Sequence, residues 1–301
     1  MKRFIVPILA ALLLFSGCAA AEVPARVAAT TLPVYEFTAE ICKGTPITVT
    51  RLVTEEVSCL HDYSLNVRQV KAAEAAELIV MSGAGLEEFL EDILHGKTAI
   101  DASEHIALLC PEEEAEHDHG HDHGHDHGHG HESHSHHQDP HIWLSPANAR
   151  IMAANICEGL SCEYPEYAEV FAANLQVLTD KLDALQLYGD TELSALRCRE
   201  IITFHDGFAY FAESFGLTIL EAVEEESGSE ASAKELIHLI EEVEHHSLPA
   251  IFTETNGSVS AADIISRETG AGCFSLDMAM SGSSYFEAMY KNIDTIKEAL
   301  E

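Results

Sequence analysis

Basic residues are scarce in this chain: 16 Lys and Arg stand against 51 Asp and Glu over 301 residues, a formal charge of −35. So acidic a surface cannot neutralise a phosphate backbone, which excludes nucleic acid as a partner, and its field attracts cations. Past the N-terminus no apolar run is long enough to span a bilayer. No CxxC pair is present, which removes the usual thiolate metal clip and the thioredoxin-type redox pair. No HExxH pair is present either, so the commonest zinc-hydrolase helix is absent from the sequence. Histidine, by contrast, is abundant, with 19 in the chain.

Eleven of these histidines crowd one tract: His117, His119, His121, His123, His125, His127, His129, His131, His134, His136 and His137. Imidazole is the commonest ligand for borderline transition metals, and a tract of this composition reads as metal-binding. Almost without apolar residues, it has no core of its own, so 112–138 is expected to be a disordered loop and an auxiliary, weak binder.

The N-terminus reads as a targeting segment. Lys2 and Arg3 precede a short apolar run, and Leu14-Phe15-Ser16-Gly17-Cys18 resembles the bacterial lipobox, in which the cysteine is lipidated. Residues 1–18 are therefore expected to be a lipoprotein signal peptide with Cys18 as the lipidated residue; ordinary cleavage near 19–21 is the alternative. Either route exports the chain, to the outer face of the cytoplasmic membrane or the periplasm. Seven cysteines remain if Cys18 carries lipid, an odd number that leaves at least one thiol unpaired.

Strand and helix patterns alternate along the rest. Strands are expected at 26–31, 47–53, 78–81 and 98–100, with helices beginning near Tyr35 and over 66–77 and 86–94. Ser145-Pro146 reads as an N-cap with proline at the first helical position, opening a helix to about Gly159. Pro165 opens a longer one carrying Phe171, Leu175, Leu178, Leu182 and Leu185 at steps of three and four, with Gly189 as its expected stop. The alternation then resumes, with strands at 200–204, 217–223, 250–255 and 273–276. The expected fold class is α/β, in two lobes each with a parallel sheet flanked by helices, joined by one long backbone helix. The expected divisions are an N-terminal lobe over 24–161, a linking helix over 162–189 and a C-terminal lobe over 190–301.

Four potential metal ligands sit where strands end or loops turn. His205 closes one strand, Asp277 closes another, His61 lies after the second strand, and His141 lies just past the tract. In open parallel sheets, ligands bind outside the carboxyl ends of the strands. Three imidazoles and a carboxylate suit tetrahedral zinc. Taken singly, each has an ordinary structural alternative: a hydrogen-bonded histidine, or an aspartate capping the final helix. His95, His105, His238, His245 and His246 read as surface positions.

Asp139-Pro140-His141-Ile142-Trp143-Leu144-Ser145-Pro146, the stretch AAELIVMSGAGLEEFL over 75–90, Phe204-His205-Asp206-Gly207-Phe208 and Leu276-Asp277 together resemble the zinc-binding solute-binding proteins of bacterial metal ABC importers. The resemblance covers about 27–300. It implies metal in the interlobe cleft on His61, His141 and His205, with Asp277 or water as the fourth ligand; Cys59, two residues from His61, is a further candidate by position alone. It also implies Zn²⁺ as the transported ligand, a membrane permease as partner, a lipid anchor, and a monomeric chain that is no enzyme. Manganese members carry a carboxylate where His205 stands. Two departures accompany the match: HDYSLNVRQ over 61–69 lacks the usual prolines, and Met278 replaces a proline. The alternatives are a receptor for Mn²⁺, Ni²⁺ or Cu²⁺, an adhesin or metal store, and a zinc hydrolase, for which three histidines and an open fourth position would also serve.

Overall fold

The computed structural model describes residues 26–57, 60, 63–109, 138–223 and 232–301. His61, Cys59, Cys18, the signal segment and the histidines of the tract lie outside the described residues. Two four-stranded parallel sheets form the frame. The first contains β1 (Arg26–Ala29), β2 (Thr48–Arg51), β3 (Leu78–Met81) and β4 (Thr98–Asp101), in the order β2-β1-β3-β4. The second contains β5 (Glu200–Thr203), β6 (Thr218–Ala222), β7 (Ala250–Glu254) and β8 (Gly272–Leu276), in the order β6-β5-β7-β8. Both orders are the same pattern, with the strand order reversing between the first and third strands of each sheet. Runs such as Leu78-Ile79-Val80 are buried on both faces, which is what a parallel sheet covered by helices demands.

The helices are α1 (Leu32–Ile41), α2 (Val67–Ala75), α3 (Glu91–Leu94), α4 (Pro146–Glu163), α5 (Ala168–Glu192), α6 (Ala209–Phe215), α7 (Ala233–His246), α8 (Ser260–Thr269) and α9 (Tyr285–Leu300). Asn66 starts α2 through a reciprocal capping box with Gln69, worth about 1 kcal/mol. Ser145 and Pro146 start α4 as their order in the sequence suggests.

Three expectations are corrected. Helix α1 begins at Leu32, because Pro33 falls at its second position, where a missing N–H costs no helical bond. The stretch 86–94 is not one helix but a 3₁₀ turn (Glu88–Leu90) followed by the four-residue α3. Gly189 does not stop α5, which runs on to Glu192. It continues the buried face of Phe171, Leu178, Leu182 and Leu185, and a side chain there would overlap the ring of Phe215.

Helix α5 is 25 residues long and bears on both lobes. Its first half meets α1, where Asn174 donates to the carbonyls of Ile41 (2.9 Å) and Lys43 (2.8 Å). Its second half meets α9, through Tyr188 to Asp294 (2.6 Å) and Lys297 to Glu192 (2.6 Å). One buried apolar cluster runs from Val27 and Val80 through Trp143 and Leu178 to Phe252 and Ile293, so the core passes from one lobe to the other. Polar ties cross as well: Leu32 N–H to Met280 O at 3.2 Å, Arg51 to Gly282 O at 2.9 Å, and Tyr285 N–H to Glu36 at 2.6 Å.

Among the described residues, Cys42, Cys157, Cys162, Cys198 and Cys273 are free thiols. Burial pushes the Cys42 thiol up to about 12, which keeps it protonated and inert. No helix among the described residues is long and apolar enough to cross a membrane.

Candidate metal site

His141 and His205 meet at the join between the lobes. Their Nε2 atoms are 3.4 Å apart and their rings stand nearly perpendicular, at 84°. Each ring is fixed from behind by a carboxylate. Asp139 Oδ1 lies 2.8 Å from His141 Nδ1 and also accepts the His141 backbone N–H at 2.9 Å. Glu254 Oε1, at the end of β7, lies 3.0 Å from His205 Nδ1. A carboxylate only accepts, so the Nδ1 facing it carries the hydrogen, and each Nε2 presents its lone pair to the other. Two lone pairs at that range repel, and an electrophile between them removes the repulsion.

The backbone explains the placement. His205 sits two residues past β5, just outside its carboxyl end, and Thr203 Oγ1 donates to the His205 carbonyl at 3.1 Å. Gly207 is required beside it, because a Cβ there would press on the His205 ring and on the Met278 methyl. His141 precedes a 3₁₀ turn (Ile142–Leu144) that leads into α4. That turn is anchored by the fully buried Trp143, whose Nε1 donates to Met278 O at 2.7 Å while its carbonyl accepts from Tyr285 Oη at 2.8 Å. The DPHIWLSP segment is thus bolted to the second lobe. His141 is only 2% exposed.

Asp277, just past β8, holds its place through Asn292. Its N–H donates to Asn292 Oδ1 (2.7 Å), and its carbonyl accepts from Asn292 Nδ2 (2.7 Å). Its Oδ1 accepts the Ala279 N–H at 2.8 Å. Asp277 lines a small cleft with Val57, Glu254, Asn256 and Ser281. Of the four candidates, the structure brings His141 and His205 into contact and puts Asp277 on the wall of a cleft it shares with Glu254; His61 lies outside the described residues.

The tract is inserted at a closed neck. Asp139 N–H donates to Leu109 O at 3.0 Å, and Tyr210 Oη joins the two, accepting from Leu109 N–H (2.9 Å) and donating to Asp139 O (3.0 Å). Leu109 and Asp139, the paired residues on either side of the tract, thus meet two residues from His141.

Sequence reasoning missed two members of this arrangement, Asp139 and Glu254, as orienting groups. Asp139 was visible as the residue two before His141, a spacing that lets one carboxylate take both the backbone N–H and Nδ1. Glu254 carried a weaker signal, a carboxylate ending the strand that neighbours the one before His205. That neighbour relation needs strand order, which is not in the sequence.

The family described as the periplasmic zinc-uptake complex component A, ZnuA, matches residues 27–299. The zinc-binding lipoprotein AdcA of Streptococcus pneumoniae is 30% identical over 291 residues, covering 92% of this chain and 56% of AdcA. The chain thus spans about half the length of that relative. Among solved structures, the Zn(II)-bound ZnuA-like domain of S. pneumoniae AdcA superposes with a TM-score of 0.74 at 26% identity, covering 92% of this chain and 99% of that domain. A crystal structure of ZnuA superposes with a TM-score of 0.76 at 27% identity, covering 92% of this chain and 100% of the other.

Proposed function

The chain belongs to the ZnuA family of periplasmic zinc-uptake components, and from that premise we propose that it captures Zn²⁺ outside the cytoplasmic membrane and passes it to the permease of an ABC importer. The observation that carries the reading is the 3.4 Å between His141 Nε2 and His205 Nε2. Two ligands of a tetrahedral ion with bonds of about 2.0–2.1 Å stand roughly 3.3 Å apart. The pair therefore has the separation that one zinc ion requires, with both lone pairs aimed inward.

His61 is the third ligand in this reading. Val57, four residues before it in sequence, lines the cleft that holds Glu254 and Asp277. Asp277 supplies the fourth through Oδ2, its Oδ1 being held by Ala279. Nitrogen at position 205 favours zinc over manganese, which prefers oxygen. The ligands must be neutral imidazoles, so acid weakens binding by competing for the same nitrogens. The His tract, from the neck beside His141, is a weaker collector that raises local zinc at the cleft. Release follows from a small displacement of the first lobe that withdraws His61, because Trp143 ties His141 to the lobe that carries His205 and Asp277. The core and hydrogen bonds shared by the lobes restrict that displacement to a small one. The mature chain acts as a monomer held to the membrane by lipid on Cys18.

The test is zinc competition against a chelating dye. It compares the wild type, a chain lacking 117–137, and His61→Ala, His141→Ala and His205→Ala. Each substitution should cost more than the roughly 10–100-fold that an orienting partner is worth, while the deletion leaves the tight site in place. Tight binding that disappears with the tract and survives all three substitutions would sink the cleft reading. Zinc uptake that is independent of this protein would instead make it a store or an adhesin.

A further inference from the structure

The last turn of α7 carries Glu242, His245 and His246, positions i, i+3 and i+4, which the helical period sets on one face. One donor atom from each lies within 4.8 Å of those of the other two. His246 is held in a defined pose: its Nδ1 is 3.0 Å from Glu200 Oε2 on β5, and its Nε2 is 3.5 Å from Glu242 Oε2. Carboxylates stand at both nitrogens of His246; with the hydrogen on Nδ1, towards the nearer Glu200, Nε2 is the nitrogen left to share an ion with Glu242. A carboxylate behind one ring nitrogen and a ligand group ahead of the other is the arrangement already seen in Asp139–His141 and Glu254–His205. The 3.5 Å separation is also near the roughly 3.3 Å that two ligands of one tetrahedral ion keep. A cation here lies at the helix C-terminus, where the unpaired carbonyls favour positive charge.

We propose that Glu242, His245 and His246 form a second, surface site for a borderline divalent transition ion, separate from the cleft, with Glu200 as the orienting partner. Two imidazoles and one carboxylate bind the ion, and water completes its shell. The site sits at the opposite end of the lobe from His205, because Glu200 opens β5 while His205 follows its carboxyl end, a strand of four residues or roughly 13 Å apart. His245 is exposed and His246 half-exposed, so the ion exchanges with solvent and is bound more weakly than one enclosed between the lobes.

Zinc itself is the probe. Equilibrium dialysis of the full chain at zinc concentrations that saturate the cleft should show one ion fewer per chain in His245→Ala and in His246→Ala, with cleft affinity unchanged. Glu200→Gln should weaken the same ion about 10–100-fold without removing a ligand. Zinc-edge anomalous diffraction from crystals of the full chain should place a peak at about 2.0–2.2 Å from donor atoms of Glu242, His245 and His246. The proposal is overturned by equal zinc uptake in wild type and both variants, or by a lost ion whose anomalous peak lies elsewhere.

Discussion

The two lobes share one strand order and use its switch point in opposite ways. In the first sheet, the carboxyl ends of the central strands β1 and β3 converge on Glu87, a buried carboxylate that closes the crevice from within. Glu87 Oε1 accepts from Thr30 Oγ1 and Ser82 N–H at 2.7 Å each, and Oε2 accepts from Gly83 N–H at 3.0 Å. In the second sheet, the ends of β5 and β7 hold His205 and Glu254, whose pairing aims an imidazole outwards. The crevice of an open α/β sheet is a ready ligand site. One lobe fills it with its own side chain and becomes a rigid wall; the other leaves a donor facing out. The first lobe's own donor, His141, comes from the segment that leads into α4 instead of from a strand end.

The largest test of that contrast is Glu87→Gln. Burial pushes the Glu87 carboxyl from its ordinary 4.5 up to about 7, against the pull of Thr30, Ser82 and Gly83 and with a small further push from Asp101. A carboxyl raised in the folded state stabilises the fold below its unfolded pKa, and that contribution is lost as pH climbs through the folded one. At 1.36 kcal/mol per unit the loss is about 3 kcal/mol between pH 4.5 and 7. Chemical denaturation should show the wild type losing that much relative to Glu87→Gln across the window, while zinc affinity stays the same. Parallel stability curves would remove the buried plug, and a fall in zinc affinity would make the first crevice part of the site.

The second test sharpens the open side. Asp139→Asn and Glu254→Gln keep the shape of each orienting group and remove its charge. Either amide is able to turn its NH₂ towards Nδ1, which swaps the imidazole tautomer and puts hydrogen on Nε2. Loss of such a partner typically costs 10–100-fold in metal affinity, about 1.4–2.7 kcal/mol. Dye competition should show that loss for both variants, with thermal stability of the metal-free chain little altered. Unchanged zinc affinity in both would mean that the two carboxylates serve the fold alone.

The α/β alternation was legible because strands such as Leu78-Ile79-Val80-Met81 are short apolar runs bounded by polar turns, and because Ser145-Pro146 and Asn66 mark helix starts. His205 and Asp277 were legible as residues that follow apolar strands, and His141 by its place in the DPHIWLSP segment. What was hidden depended on distant partners. Gly189 reads as a helix stop until Phe215, 26 residues on, is seen to need its missing side chain. The stretch 86–94 has helical spacing, yet Glu87 is held back by Thr30, Ser82 and Gly83, and regular helix begins only at Glu91. His246 looked like an ordinary surface residue because Glu200 is 46 positions away in sequence.

The smallest effect is expected at Asp277, where cap and ligand are both open to one carboxylate. Oδ1 is committed to the Ala279 N–H at 2.8 Å, and Asn292 grips the backbone on either side. Asp277→Asn keeps an oxygen for Ala279 and replaces Oδ2 with an amide that has no lone pair for a metal. If Oδ2 is the fourth ligand, water replaces it and zinc affinity falls about tenfold, near 1.4 kcal/mol. Three imidazoles retain the ion, so the fall is smaller than for any histidine substitution. A change below about twofold would leave Asp277 as a cap and give the fourth position to water. The lobe contrast would then narrow to one outward donor, His205, with Glu254 behind it.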